Sequence, residues 1–477
     1  MRRQLGWGIA SLIALSACND VNDFEERALG PDGVLTRGAA DFTRYVAIGD
    51  SYAAGVTNGA LSCSGQIFSY PNQIAGQVGL QVPRNCGLLG QLQLAAVDFS
   101  TFEQPLVTDP GVGTPLVLTN PGPPPVIVPV PATGRPTNGD LDRPYNNLGV
   151  PGADLREVNI AFNQATSLDG NSAFNIVLRG IGTAPEQARI LDATFITFWM
   201  GGNDVLGSVL AGGTIPVTPP ATFESEYNRA LDALFEITPE LVIANLGDVT
   251  LFPFVTTIPP VVVNPATGQP VIISGQPVPI IGPGGPLALG QDFVLLTAAS
   301  LLAQGIGIPA LLGGTGQPLP DEVVLEAAEV AEIRAAVASY NQTIAAAAAA
   351  RGIGMVDINA FAQSTVAAGG LVDANGQTLS VGFLGGGVAA PFFSLDGFHP
   401  TPKGYGHFAN LFIQQINERF ADRGGDEPGD PIALVDVSTL PTLIGGVGAD
   451  LAPPELLAVG NPFVSVAYPR RIDLSRW

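Results

Sequence analysis

Residues 45–52 read Tyr-Val-Ala-Ile-Gly-Asp-Ser-Tyr, and this stretch decides the fold. A short apolar run meets a glycine, as in a strand buried on both faces, and Gly-Asp-Ser then turns the chain. Three further segments repeat the pattern: Ala193 to Met200, rich in β-branched and aromatic residues, Leu241 to Leu246, and Gly354 to Ile358. Helical patterns lie between them. Phe223 to Phe235 carries apolar side chains one turn apart, and the alanine-rich Glu326 to Arg351 is closed by Gly352. Strands alternating with helices predict an α/β fold whose parallel sheet is covered on both faces. Residues 403–420 predict a last amphipathic helix with Tyr405, Phe408, Phe412, Ile416 and Phe420 toward the core.

Composition narrows the function classes. The chain has 477 residues, 46% of them hydrophobic and 13% charged, with 59 glycines and 42 prolines. It is loop-rich yet long enough to bury a large core. Asp and Glu outnumber Lys and Arg 42 to 20, for a net charge of −22, so the surface repels phosphate backbones and no nucleic-acid partner is expected. With two histidines (His399, His407) and three cysteines, zinc sites built from His and Cys lack donors. No metal and no organic cofactor are expected.

Residues 1–17 read as an export signal: Arg2 and Arg3 precede an apolar stretch, Leu5 to Leu15, too short to span a bilayer. It ends in Leu-Ser-Ala-Cys at 15–18, which resembles a bacterial lipobox. Cys18 would then be lipidated and become the mature N-terminus of a tether reaching residue 43. The alternatives are cleavage near Ala17 or a free cysteine. An exported protein anchored this way belongs at the cell envelope, at the outer membrane or cell surface. Of the remaining cysteines, Cys63 and Cys86 most simply form one disulfide in an oxidising compartment, against two buried thiols.

Residues 60–145 and 250–320 read as long insertions into one domain, 44–420, followed by an extension, 421–477, with no assignable role. Val261 to Ile273 predicts a β-hairpin around Asn264-Pro265-Ala266-Thr267-Gly268. Asp373-Ala374-Asn375-Gly376 predicts a hairpin turn rather than a calcium loop, whose other ligand positions are missing. Phe293 to Leu312 holds no charge but contains Gly305, Gly307 and Pro309. It predicts a buried or lid-forming helix, not a membrane span. Residues 126–130, 261–263 and 293–302 are more apolar than a solvent-facing surface should be; they either cover one another or the sheet, or roof the Ser51 cleft.

Four blocks carry chemistry. In Gly49-Asp50-Ser51-Tyr52 the serine sits at a strand-to-helix turn, where open α/β sheets place their ligands, and the helix that follows should aim its positive end at the site. In Asp396-Gly397-Phe398-His399 one short loop holds a base and the carboxylate that would orient it. In Gly201-Gly202-Asn203-Asp204 an amide side chain can donate to a developing oxyanion. Asn147-Leu148-Gly149-Val150-Pro151-Gly152 lets backbone N–H groups approach a substrate. No Gly-x-Ser-x-Gly elbow occurs, and His407 reads as structural.

This ordered set resembles the SGNH/GDSL hydrolase family of serine esterases and lipases, over roughly residues 44–420. The resemblance implies a flavodoxin-like three-layer α/β/α sandwich with about five parallel strands. It implies Ser51 as nucleophile, His399 as base, Asp396 as its orienter, and Ser51, Gly152 and Asn203 as oxyanion-hole donors. Tyr52 stands where leucine is frequent. Phe68 to Gln73 and the insertions look like those of larger bacterial lipoprotein members. The implied substrate is an ester, and the apolar insertions suggest an apolar acyl chain. A glycan O-deacetylase using the same site, or a non-catalytic surface binding lipoprotein, are the other classes to weigh.

Overall fold

The computed structural model describes residues 36–37, 40–84, 86, 100–120, 126–265, 267–387, 390–420 and 431–442. Cys18 and the expected signal segment lie outside the described residues. Five strands form one sheet: β1 (Tyr45–Gly49), β2 (Asn147–Gly149), β3 (Phe195–Trp199), β4 (Leu241–Ala244) and β5 (Gly354–Val356). Their order is β5-β4-β3-β1-β2, and every pairing is parallel, with Tyr45 opposite Phe195 and Ala47 opposite Asn147. This is the flavodoxin-like order, whose direction of winding reverses between β1 and β3. β2 falls inside the block read from the sequence as a glycine-rich loop. Three residues are too few for a periodicity to show, and pairing with β1 alone makes them a strand.

The helices that matter here are α1 (Ser51–Ala54), α2 (Tyr70–Gln77), α3 (Leu155–Ile160), α4 (Asn203–Leu210), α5 (Pro220–Phe235), α6 (Ala327–Arg351), α7 (Ile358–Ala367) and α8 (Pro402–Phe420). Alternation along β3 sets the layers. Phe195 meets Phe420 of α8 at 5.6 Å between ring centroids and Trp199 meets Phe408 at 5.1 Å. Phe198 points the other way, to Tyr227 of α5 at 5.5 Å. Thus α2 and α8 cover one face, tied by stacking of Tyr70 on Phe412, and α3, α5 and α6 cover the other. The α8 residues expected in the core are all buried there.

Phe293 to Leu312 is no single helix. Phe293–Val294 pairs with Val324–Leu325, a single helical turn covers Ala299–Leu302, and left-handed Gly305 and Gly307 break the run before Pro309. Among the described residues, no helix is long and apolar enough to cross a membrane. The hairpin at 261–273 forms, with Val263 opposite Pro270. So does the one around Asp373–Gly376, between Leu371–Val372 and Thr378–Ser380. Cys63 and Cys86 are joined by a disulfide, their Cα atoms 5.7 Å apart.

Part of the C-terminal extension is docked. Asn410 and Asn417 of α8 each exchange two hydrogen bonds with the backbone, at Val435 and Ile432 respectively, as a neighbouring strand would. Lys403, the chain's single lysine, is buried and reaches Asp373 Oδ2 at 3.2 Å and the carbonyls of Val437 and Ser438.

Candidate active site

Strand ends deliver three of the four blocks to one edge of the sheet, and the fourth, Asp396 to His399, comes on the loop that precedes α8. Gly49 closes β1, and Ser51 opens α1 with Asp50 as its cap, Oδ1 accepting the Tyr52 N–H at 2.9 Å. α1 is a single turn ended by Gly55, so its dipole is far weaker than the sequence reading implied, and the Asp50 carboxylate further offsets its positive end. Burial pushes the Asp50 carboxyl up to about 6, against the pull of the Tyr52 N–H and the charge of His399.

Val150 N–H donates to Gly49 C=O at 2.9 Å, which draws the turn after β2 against the end of β1. Gly152 in that turn has φ +79°. Asn203, first residue of α4, donates from Nδ2 to Ala153 C=O at 2.8 Å, and Asp204 Oδ2 accepts the Leu155 N–H at 2.9 Å. Residues 203 and 204 therefore hold the segment that directly follows Gly152. Burial, and then the charge of Asp154, push the Asp204 carboxyl up to about 7.

The Asp396–His399 loop is stitched to the segment that follows α1. His399 Nδ1 lies 2.9 Å from Asp396 Oδ2, with both side chains buried. The carboxylate also accepts from Gly59 N–H at 2.6 Å, His399 N–H at 2.8 Å, Phe398 N–H at 3.1 Å and Ser394 Oγ at 3.2 Å. Burial works to raise the Asp396 carboxyl, but the His399 charge and these donors outweigh it and hold the group below the usual carboxylate range. Asn58 fixes the loop from outside, donating its N–H to Ser394 Oγ and accepting the Leu395 N–H. Gly397 has φ +78°, and a Cβ there would stand 2.9 Å from Phe254 N, so glycine alone fits the turn.

Tyr52 is the residue whose role the sequence left unread. Its hydroxyl donates to Phe398 C=O at 2.8 Å, and its ring stacks on Trp199 at 5.1 Å and leans on His399 at 5.8 Å. The neighbour of Ser51 thus holds the neighbour of His399. An aromatic where leucine is frequent was the available signal. His407 lies outside this cluster, its ring stacked with Phe392.

Ser51 and Asn203 line a cleft of about 850 Å³, open mouth included. Its walls are apolar and come from four places: Trp199 and Leu206 around β3 and α4, Leu246 to Phe252 after β4, one face of α7, and Phe392, Phe393 and Phe408. None of residues 126–130, 261–263 or 293–302 lines it, which corrects the expectation that they roof the serine. Val126–Pro129 is paired with Leu116–Asn120, the 261–263 strand with its own hairpin, and Leu296 is buried beneath Gly397. Val261 to Val263 and Leu302 line a separate cavity with Ile258, Ile280 and Ile308. Among the described residues, no cluster of His, Cys, Asp and Glu has the arrangement of a metal site.

A serine at the carboxyl edge of a parallel sheet, on the β1/β3 switch point, linked through Tyr52 to a buried Asp–His pair, fits a class of α/β hydrolases. The chain belongs to the GDSL-like lipase/acylhydrolase family, whose family model matches residues 45–412. No match is found among curated proteins. Among solved structures, it is similar to an extracellular lipase from Streptomyces rimosus, at 16% identity and a TM-score of 0.31, over 79% of this chain and 98% of that one. It is also similar to LAE5, an α/β hydrolase from the metagenome of Lake Arreo in Spain, at 11% identity and a TM-score of 0.33, over 80% and 98%.

Proposed function

We propose that this hydrolase cleaves carboxylic esters by two-step acyl transfer through Ser51. The observation that carries the reading is a buried Asp396–His399 pair tied, through Tyr52, to a serine that opens on an apolar cleft. An ionised Asp396 can only accept, so His399 carries its proton on Nδ1 and keeps Nε2 as a base. Nε2 takes the Ser51 proton as Oγ attacks the carbonyl, and the oxyanion rests on Ser51 N–H, Gly152 N–H and Asn203 Nδ2. The tetrahedral adduct collapses as His399 protonates the leaving alcohol. Water, activated by the same nitrogen, then releases the acid.

Asn203 is expected to matter mainly in turnover. Asn203→Ala should lower kcat by ~10²–10³ with a small change in KM, as loss of one oxyanion donor does. A variant that changed only KM would make Asn203 a substrate-binding residue instead.

The apolar walls favour an acyl chain over the polar cleft a glycan O-deacetylase would need. Each methylene buried is worth ~0.8 kcal/mol, or about fourfold in specificity constant. Measured below the aggregation concentration, kcat/KM should climb from acetyl through butyryl to octanoyl esters. A steady fall from acetyl onward would reverse the preference between the two substrates. Labelling of Ser51 by a fluorophosphonate separates both from a non-catalytic binding protein, which would not react.

The same proposal places the enzyme at the cell envelope, held by a lipid on Cys18. What supports it is the order of charge, apolar run, small residues and cysteine in residues 2–18. Cys18→Ser should release the protein from the membrane pellet or leave it unprocessed, and an intact mass showing an unmodified cysteine would refute the anchor.

A further inference from the structure

Hydrogen bonds tie the stretch that begins at Ser51 to the loop that carries His399. Thr57, Asn58 and Gly59 make theirs from beyond Gly55, which ends α1 in a left-handed conformation. Thr57 Oγ1 reaches Pro400 C=O, Asn58 pairs with Ser394 and Leu395, and Gly59 N–H donates to Asp396 Oδ2. Tyr52 makes its contact from inside α1, one residue from Ser51. Its hydroxyl donates to Phe398 C=O at 2.8 Å, and the N–H of that same peptide group, on His399, donates to Asp396 Oδ1 at 2.8 Å. A peptide group is planar. One plane is therefore gripped at its oxygen by the neighbour of Ser51 and at its nitrogen by the carboxylate that pairs with the His399 ring, and His399 Cα lies in that plane.

The direction of the hydroxyl is set by the ring. Tyr52 stacks on Trp199 at 5.1 Å and 13° and meets Phe408 edge-on at 5.9 Å, contacts that a phenylalanine would keep. What the hydroxyl adds to the ring is the pin on the Phe398–His399 peptide. It also stays a donor, because burial, and then the charges of Asp50 and Asp396, push the phenol well above its ordinary value. The Asp396 carboxylate has other donors in Gly59, Phe398 and Ser394, so the Asp396–His399 pair stands without Tyr52. What rests on Tyr52 is where that pair stands relative to Ser51.

We propose that Tyr52 is a positioning residue whose hydroxyl, through the Phe398–His399 peptide, fixes the register of His399 against Ser51 and acts on the rate through His399 alone. The proposal rests on the acyl-transfer reading above and deepens it. Proton transfer from Ser51 needs Nε2 within hydrogen-bond reach of Oγ, and a misplacement of about 1 Å can cost ~10² in rate. Phe398 is buried, and without the hydroxyl its carbonyl loses this donor while the peptide plane is no longer held at its oxygen. The base and its orienter are then both present, but their common support next to Ser51 is gone.

The experiment is a double-mutant cycle on p-nitrophenyl butyrate with the parent, Tyr52→Phe, His399→Ala and the double variant, each checked for folding by its thermal midpoint. Tyr52→Phe is expected to fold, to lower kcat by ~10–10² and to leave KM within about twofold of the parent. The second-order rate of fluorophosphonate labelling should fall by the same factor, since that reaction needs Ser51 and its base but no bound acyl chain. In the His399→Ala background the same substitution should change the residual rate by less than about twofold, because the base it positions is gone. A kcat for Tyr52→Phe within about threefold of the parent would overturn the proposal. So would a loss of equal size in both backgrounds, which would make the hydroxyl a contact of the cleft or of the fold, and so would a Tyr52→Phe chain that fails to fold. His399→Ala by itself separates this proposal from the reading beneath it. Near-parental hydrolysis by that variant removes acyl transfer through His399, whereas loss there with Tyr52→Phe unimpaired removes the positioning role and leaves acyl transfer standing.

Discussion

Ser51→Ala is expected to fold as the parent does and to lose ester hydrolysis, kcat falling on the order of 10⁴–10⁶. Ser51 sits 6% exposed at the start of a one-turn helix whose cap is Asp50 and whose end is Gly55. Neither cap uses the serine side chain. Truncation removes one oxygen from the cleft wall and leaves the Asp396–His399 pair and the Asn203–Ala153 contact in place. The thermal midpoint should therefore move by no more than a degree or so, about what a surface-like substitution does. What remains after the substitution is binding and oxyanion stabilisation without a nucleophile, and water reacts far more slowly than an activated serine. Activity within tenfold of the parent in a folded sample would remove Ser51 from the mechanism.

Asp396→Asn is expected to cost both rate and stability. The substitution replaces an acceptor oxygen by an amide donor at a point where Gly59, Phe398 and His399 all present N–H groups. At least one donor then faces another. Hydrogen bonds to a charged group are worth ~1.5–3 kcal/mol, so a loss of that order in unfolding free energy is the expectation. kcat should fall ~10³–10⁴ further than the unfolded fraction explains, because His399 loses the partner that sets its tautomer and stabilises its charged form. The dependence on pH carries a sign that tests the cause. The Asp396 carboxyl is held below its ordinary value in the fold. Its stabilisation is then complete above the unfolded carboxylate range, about pH 4, and is lost as pH falls through the folded value. The stability gap between parent and Asp396→Asn should therefore be widest near neutrality and close in acid. A gap that stays constant down to pH values of about 2 would assign the loss to packing, not charge.

Much of the sheet was legible because the buried strands β1, β3, β4 and β5 each form an apolar run ending in glycine or a turn. β2 was not, because Asn147-Leu148-Gly149 carries a single apolar side chain, whereas the equally short β5 carries Met355 and Val356. The last helix was legible because its aromatic and aliphatic residues recur at one face, and α8 buries them against β3. α1 was legible in position but not in length. Its single turn follows from Gly55, which takes a left-handed conformation, and from the packing of residues 56–59 onto the Asp396 loop.

The sequence by itself determined the α/β class, the order of the four blocks and the positions of the serine, the histidine and the carboxylate proposed to act together. Such features are local, since a turn type, a strand end or an Asp-x-x-His spacing is written within a few neighbouring residues. Only the tertiary structure decided which apolar segments face Ser51. Residues 293–302 are as hydrophobic as any wall of the cleft, yet they pair with Val324–Leu325 and pack beneath Gly397. The cleft is built instead from short stretches that lie far apart in the chain, among them Trp199, one face of α7 with Phe361, and Phe408 of α8. Burial of apolar area is non-directional, so composition states how much surface must be covered. Which surface meets which is settled by strand order and by hydrogen bonds such as that from Tyr52 to Phe398, whose partners lie 346 residues apart.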